Sequence, residues 1–307
     1  GCYTVVEAWL QAKVTNQTRG RVLGIYRVVD LGASLVAQLM IGVLEPASYV
    51  SYNILAILCC ASLLPLMLTR VPAPASAHAP RLRPWAAIRL SPLGAAGVIV
   101  AGITMPAFRM AGPIYGQEVG LRPDQIGLFL AAAVLGGALA QFPVGWLADR
   151  FDRRRVLIGV SAAAAGVSVT ITLLGGSSET VIFAGSFAFG LVAFPIFSIS
   201  SAHANDFAPP DQAVELAAGL MFLYGIGAIA SPFVSSLLIA GFGPAGLFGL
   251  ITVAHVGLIL FGLVRMRARR TSPRQIDYRY IPRTSFLIGR LMRRRPDANG
   301  AGPQPPR

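Results

Sequence analysis

GWLADRFDRRRV, from Gly145 to Val156, is a strongly charged turn between two long uncharged runs. Residues 125–148 before it hold no Asp, Glu, Lys or Arg, and neither do residues 156–178 after it. A helix needs about 20 apolar residues to cross the hydrocarbon core of a bilayer, and each run is long enough. Four arginines (Arg150, Arg153, Arg154, Arg155) and two aspartates (Asp149, Asp152) crowd the turn.

The same pattern repeats outward from this turn. The chain has 307 residues, 54% of them hydrophobic and 13% charged, with a mean hydropathy of +0.63. Soluble domains carry roughly 25% charged residues. Long charge-free stretches separated by short polar turns predict an all-α integral membrane protein, because backbone polar groups in lipid must be satisfied within each segment. Complete spans are expected over residues 22–44, 49–69, 90–115, 125–148, 156–174, 180–201, 213–240 and 245–264, with the end of another over 1–10. The chain begins inside an apolar segment with no Met and no signal peptide, and reads as lacking its N-terminus.

The net charge is +13, yet its distribution argues against nucleic acid, because the arginines sit at the ends of apolar runs. Residues 11–21, 70–89, 145–156 and the tail from 265 hold 3, 4, 4 and 12 basic residues, while the turns of the other set hold only Arg122. The basic set is expected on the cytoplasmic side, which puts the C-terminus in the cytoplasm. Residues 70–89 are rich in Pro and Ala and read as a linker. Cys2, Cys59 and Cys60 lack metal-ligand spacing, so neither a disulfide nor a metal site is expected.

The turn resembles the signature loop of the major facilitator superfamily, G-x-L-A-D-R-x-G-R-[RK], in Gly145, Leu147, Ala148, Asp149, Arg150, Arg153 and Arg154. It departs at Asp152, where the family usually has Gly. The resemblance implies a helical bundle of twelve spans in two halves, with the loop between spans eight and nine. Residues 1–69 would then be the remainder of the N-terminal half from the end of span four, 70–89 the interdomain linker, 90–264 the C-terminal half and 265–307 a basic cytoplasmic tail. A second likeness lies in YTVVEAWLQAKVTNQTRGR (Tyr3–Arg21) and AHANDFAPPDQ (Ala202–Gln212), which are similar to a bacterial branch with mostly unassigned substrates.

The resemblance implies a secondary transporter of a small molecule in the bacterial inner membrane, working by alternating access and coupled to protons, with no cofactor. A transporter-like scaffold or sensor that moves nothing stands as the alternative. An enzyme is not expected, since His78, His203 and His255 lie in separate elements and no nucleophile motif is visible. In the family the signature loop holds the cytoplasmic side shut. That conformational latch role is carried to Asp149, Arg150, Arg153 and Arg154, with Gly145 letting its helix pack close to a neighbour.

Four further residues read as candidates for a substrate or proton pathway: Glu7, Arg27, Asp30 and Arg109. Arg27 and Asp30 are three apart and share a helix face. They lie roughly 9 to 14 Å along the helix from Arg21, and charges at that depth usually face a bundle interior or a water-filled cavity. They line the central cavity or neutralise each other near the cytoplasmic end. Glu7 takes up protons or pairs with a nearby arginine. Arg109 binds an anionic group, pairs with Glu118 or snorkels outward. His203 and Asp206 read as a helix-end cap and loop anchor beside Pro209 and Pro210. His255 is expected to be packed or hydrogen-bonded to a neighbouring helix.

Overall fold

The computed structural model describes residues 19–41, 43–44, 48–68, 83–175, 178–208 and 212–268, and among these the regular structure is helical throughout. The helices are α1 (Arg19–Met40), α2 (Tyr49–Leu68), α3 (Pro84–Leu90), α4 (Pro92–Glu118), α5 (Pro123–Arg150), α6 (Arg153–Leu174), α7 (Glu179–Ala193), α8 (Pro195–Asn205), α9 (Ala213–Phe242) and α10 (Ala245–Ala268). Among the described residues six stretches are long and apolar enough to cross a membrane: α4, α5, α6, Glu179–Asn205 (α7 and α8 together), Glu215–Phe242 and Ala245–Arg267.

The boundaries follow from side-chain caps and prolines. Ser91 Oγ accepts from Gly94 N at 3.3 Å and Pro92 opens α4. Pro123 opens α5, where Gln125 Oε1 accepts from Arg122 N at 2.9 Å. Ser178 Oγ accepts from Val181 N at 3.3 Å and starts α7. Each cap satisfies a donor that the first turn of a helix leaves without an intrahelical partner. Pro195 interrupts the apolar run Glu179–Asn205 at the α7–α8 junction, since proline cannot donate to the preceding turn. Gly120 at φ +82° and Gly243 at φ +69° make the turns after α4 and α9, a conformation that favours glycine.

Two boundaries differ from the sequence reading. Residues 84–89, taken as the end of the linker, form with Leu90 the short helix α3, whose Ala87 is buried against α9. Pro84 at the first helical position and the Ala86-Ala87 pair favour helix there. The span expected over 180–201 runs further, because His203 and Asn205 belong to the last turn of α8.

In lipid no hydrophobic effect drives helix against helix, so close backbone approach has to come from small residues. Helix α4 packs most extensively on α9, α5 on α7, and α6 on α10. Small residues are found at these seams. A methyl added at Gly102 would overlap the Tyr224 carbonyl, and one at Gly227 would lie 2.8 Å from the Ile99 carbonyl oxygen. Gly190 rests on the Ala133 backbone and Gly136 on that of Phe187. Around these seams Phe108, Tyr115, Phe129, Phe189 and Phe248 form a buried aromatic cluster, with Phe108 and Phe189 centroids 4.8 Å apart and Tyr115 edge-on to Phe248 at 5.0 Å. Such pairs contribute about 1 kcal/mol each beyond the area they bury. The opposite faces are apolar and exposed, as at Phe142, Leu173 and Ile229, which suits contact with lipid.

His255 is fully buried in α10, and its Nε2 lies 3.2 Å from Thr104 Oγ1 of α4. The expected bond to a neighbouring helix is present and joins α4 to α10.

Candidate functional site

The charged stretch is almost entirely helical. Helix α5 runs through Arg150 and α6 starts at Arg153, leaving only Phe151 and Asp152 between them. Asp152 starts α6, its Oδ1 accepting from Arg154 N at 3.0 Å. Its backbone, at φ −56° and ψ 114°, lies in territory open to any L residue. The freedom of a glycine is therefore not used here, and an aspartate adds a cap that glycine lacks.

Because the turn is so short, the first turn of α6 returns to the last turn of α5. Arg153 Nη2 donates to Asp149 Oδ1 at 2.8 Å. Its Nη1 donates to Asp206 Oδ1, beyond the end of α8, and to the Ala202 carbonyl at 3.3 Å. One guanidinium thus ties the end of α5, the start of α6 and the end of α8. The Arg153 side chain is 23% exposed, against 15% for Asp206 and 41% for Asp149. Arg154 grips Asp152 with Nε at 3.1 and 3.2 Å and Nη2 at 2.8 Å, a forked pair within the turn. Arg150 takes no part in either pair. Its guanidinium lies over the Trp146 ring, 5.2 Å from the centroid.

The two half-buried carboxylates are held in opposite ways. Burial alone would raise Asp152, but the hydrogen bonds and charge of Arg154, with a smaller contribution from His203, hold it below the usual carboxylate range. Burial pushes Asp206 above that range against the pull of Arg153, and the charges of Asp149 and Asp152 push the same way. His203 is buried and meets the Phe207 ring edge-on at 5.2 Å.

The family model of the Major Facilitator Superfamily matches residues 94–298, which contain this turn and all six apolar spans from α4 onward apart from the first residues of α4. The chain belongs to the major facilitator superfamily. An uncharacterised MFS-type transporter of Enterobacter sp. (strain 638) is 28% identical over 282 residues, covering 89% of this chain and 71% of that one. The uncharacterised MFS-type transporter YcaD of Escherichia fergusonii is 26% identical over 280 residues, with the same coverage. YcaD of Escherichia coli O7:K1 is 28% identical over 285 residues, covering 88% and 70%. The protein is a multi-pass membrane protein of a transporter family.

Within this superfamily fold, Gly145 corrects the sequence reading. A methyl there would meet nothing within 4 Å among the described residues, so it makes no close helix approach. The approach is made instead by Gly136 and Gly137, two turns earlier, where α5 presses on Phe187 and Phe194. Asp206 emerges as the second partner of Arg153 rather than a loop anchor alone. The signal available in the sequence was only that both lie at the same end of predicted spans.

The pathway candidates are not gathered into one site. Glu7 lies outside the described residues. Arg27 and Asp30 are both in α1, which packs on α5, and Asp30 is half-buried. Arg109 is exposed on α4. It forms no ion pair among the described residues. The expected Glu118 partner is nine residues along the same helix, roughly 13 Å away by helical rise. A cleft of about 460 Å³ opens between α1, α2 and the adjoining ends of α4 and α5. Its walls include Met40, Tyr52, Leu55, Pro113 and Gln117, and none of the predicted charged residues.

Proposed function

We propose that the protein is a secondary active transporter that moves a small molecule across the bacterial cytoplasmic membrane by alternating access, coupled to protons through carboxylates of its N-terminal half. Residues 1–69 belong to that half, 90–264 form the C-terminal half, and 70–89 join them on the cytoplasmic side. The basic turns and the tail from 265 lie in the cytoplasm, following the arginine bias.

The observation that carries this reading is the double grip of Asp149 and Asp206 on Arg153. Exposed ion pairs contribute about 0 to 1 kcal/mol, whereas breaking a fully buried one costs about 3 to 5 kcal/mol. A pair of intermediate exposure falls between these. Two conformations of a working protein differ by a few kcal/mol, so such a grip suits a latch that must hold and then release. Family membership supports transport, and the half-buried Asp30 in α1 supports an ionisable group within a span.

The test is uptake and efflux in membrane vesicles carrying the full gene product, with a broad substrate panel and an imposed pH gradient, beside Asp30→Asn. Movement that follows the gradient and fails in the variant is expected. Equal movement with the gradient collapsed would remove proton coupling. If no panel member is moved or bound, the transport reading fails.

A further inference from the structure

The side of α3 that carries Trp85 is equipped for a membrane surface, with Arg89 at its border with α9. Trp85 and Arg89 are four residues apart and share one side of the helix, with the Arg89 guanidinium 5.6 Å from the Trp85 ring centroid. Trp85 is 62% exposed. The other side is fixed in place. Ala87 is buried opposite Gly219 of α9, where a methyl would lie 3.1 Å from the Ala87 Cβ. Arg83 Nε reaches Glu215 Oε1 at 3.1 Å.

Between α3 and the start of α9 lies a cleft of about 400 Å³ lined by Arg83, Arg89, Gln212 and Glu215. Two guanidiniums against one carboxylate leave a single positive charge, and that carboxylate is engaged by Arg83, so Arg89 is the cation left for a ligand. The cleft lies at the same end of the bundle as the charged turn. Helix α3 leads directly into α4, and Gly94 of α4 sits against Ala204 near the end of α8, which is followed by Asp206. Tryptophan favours the headgroup level of a bilayer, and arginine there attracts anionic lipid. A guanidinium beside an amide donor matches the oxygens of a phosphate.

We propose that this cleft binds the phosphate of an anionic phospholipid headgroup, with Arg89 as principal donor, Gln212 and Arg83 beside it, and Trp85 seated among the headgroups. The lipid would pin the segment before α4 to the inner leaflet, a placement that rests on the cytoplasmic orientation proposed above.

Native mass spectrometry of the purified 307-residue protein, exchanged into micelles with equal phosphatidylglycerol and phosphatidylcholine, tests this. The unaltered protein should retain phosphatidylglycerol preferentially. Arg89→Gln should lower that retention about five-fold, as expected for one arginine at an anionic surface. Arg83→Gln with Arg89→Gln should abolish the preference. Arg89→Lys should keep much of it, which separates lost charge from lost fold. Arg122→Gln, at the opposite end of α5, should change nothing. Retention undiminished in the double variant would overturn the proposal. So would displacement of the lipid by millimolar glycerol phosphate, which would assign the cleft to a soluble phosphate. Adduct retention does not depend on sidedness or transport, so a failure here leaves the proposed function untouched, and the reverse also holds.

Discussion

Helices α4 to α10 and helices α1 and α2 pack differently. In α4 to α10, Gly102, Gly136, Gly190 and Gly227 each rest on a neighbouring backbone. In α1, Gly32 meets nothing within 4 Å among the described residues, and α2 contains no glycine. Nearly every described side chain of α2 is exposed, with Ser51 the one that is buried. Hydropathy therefore decides that a segment can span, while small residues at facing positions decide where spans lock together.

The largest expected effect tests that distinction. Gly190→Leu drives a side chain into the Ala133 backbone and should cost about 3 kcal/mol or more, seen as lost monodisperse protein or a large fall in melting temperature in detergent. Gly32→Leu should leave melting almost unchanged. Equal tolerance at both positions would remove the contrast.

Next comes the charged turn. Arg153→Gln leaves Asp149 and the mostly buried Asp206 without their shared partner, at an expected cost of about 2 kcal/mol in thermal stability. Arg150→Gln, which loses only the contact with Trp146, should cost about 0.5 kcal/mol. A reversed order would mean that Arg150, not Arg153, holds the end of the bundle.

His255→Phe removes the bond to Thr104 and should cost about 1 kcal/mol, the scale of interhelical hydrogen bonds in membranes. Gly145→Ala should fall within about 0.5 kcal/mol, because its surroundings are open.

The pH dependence of the turn has two opposed parts. Asp206 is raised in the folded protein, so the fold binds the extra proton, and this contribution to stability declines as pH rises through the raised pKa. Asp152 is lowered, so its contribution is present above the ordinary carboxylate range and is lost as pH falls through the lowered pKa. Melting temperature followed from neutral into acid should lose the first component in Asp206→Asn and the second in Asp152→Asn. Identical profiles in both variants and the unaltered protein would contradict these assignments.

Much of the fold was legible in the sequence. Charge-free runs placed all six apolar spans, because lipid demands such runs and Asp, Arg and Gly-Pro turns punctuate them. Helix α3 was not legible, because Pro and Ala on either side of it mask seven residues whose order depends on packing against Gly219. At the turn, the residue types pointed to a charge network, but two things depended on three-dimensional phase. A two-residue turn decides that Arg153, not Arg150, returns to Asp149. The partner Asp206 is 53 residues away, and no local pattern encodes that contact. Gly145 was misread because its place in the motif says nothing about what stands opposite it.

In the proposed latch, Arg153 holds the end of α8 against the α5–α6 turn and must be able to let go. The latch is tested most directly by the rate at which a membrane-impermeant maleimide labels Ser201→Cys, in a background without the native cysteines, in inside-out vesicles. Arg153→Asp should raise that rate roughly ten-fold, equivalent to about 1.4 kcal/mol of lost closure, and Arg153→Asp combined with Asp206→Arg should bring it back toward the starting value. An unchanged rate in Arg153→Asp, or no recovery in the swapped pair, would contradict the latch.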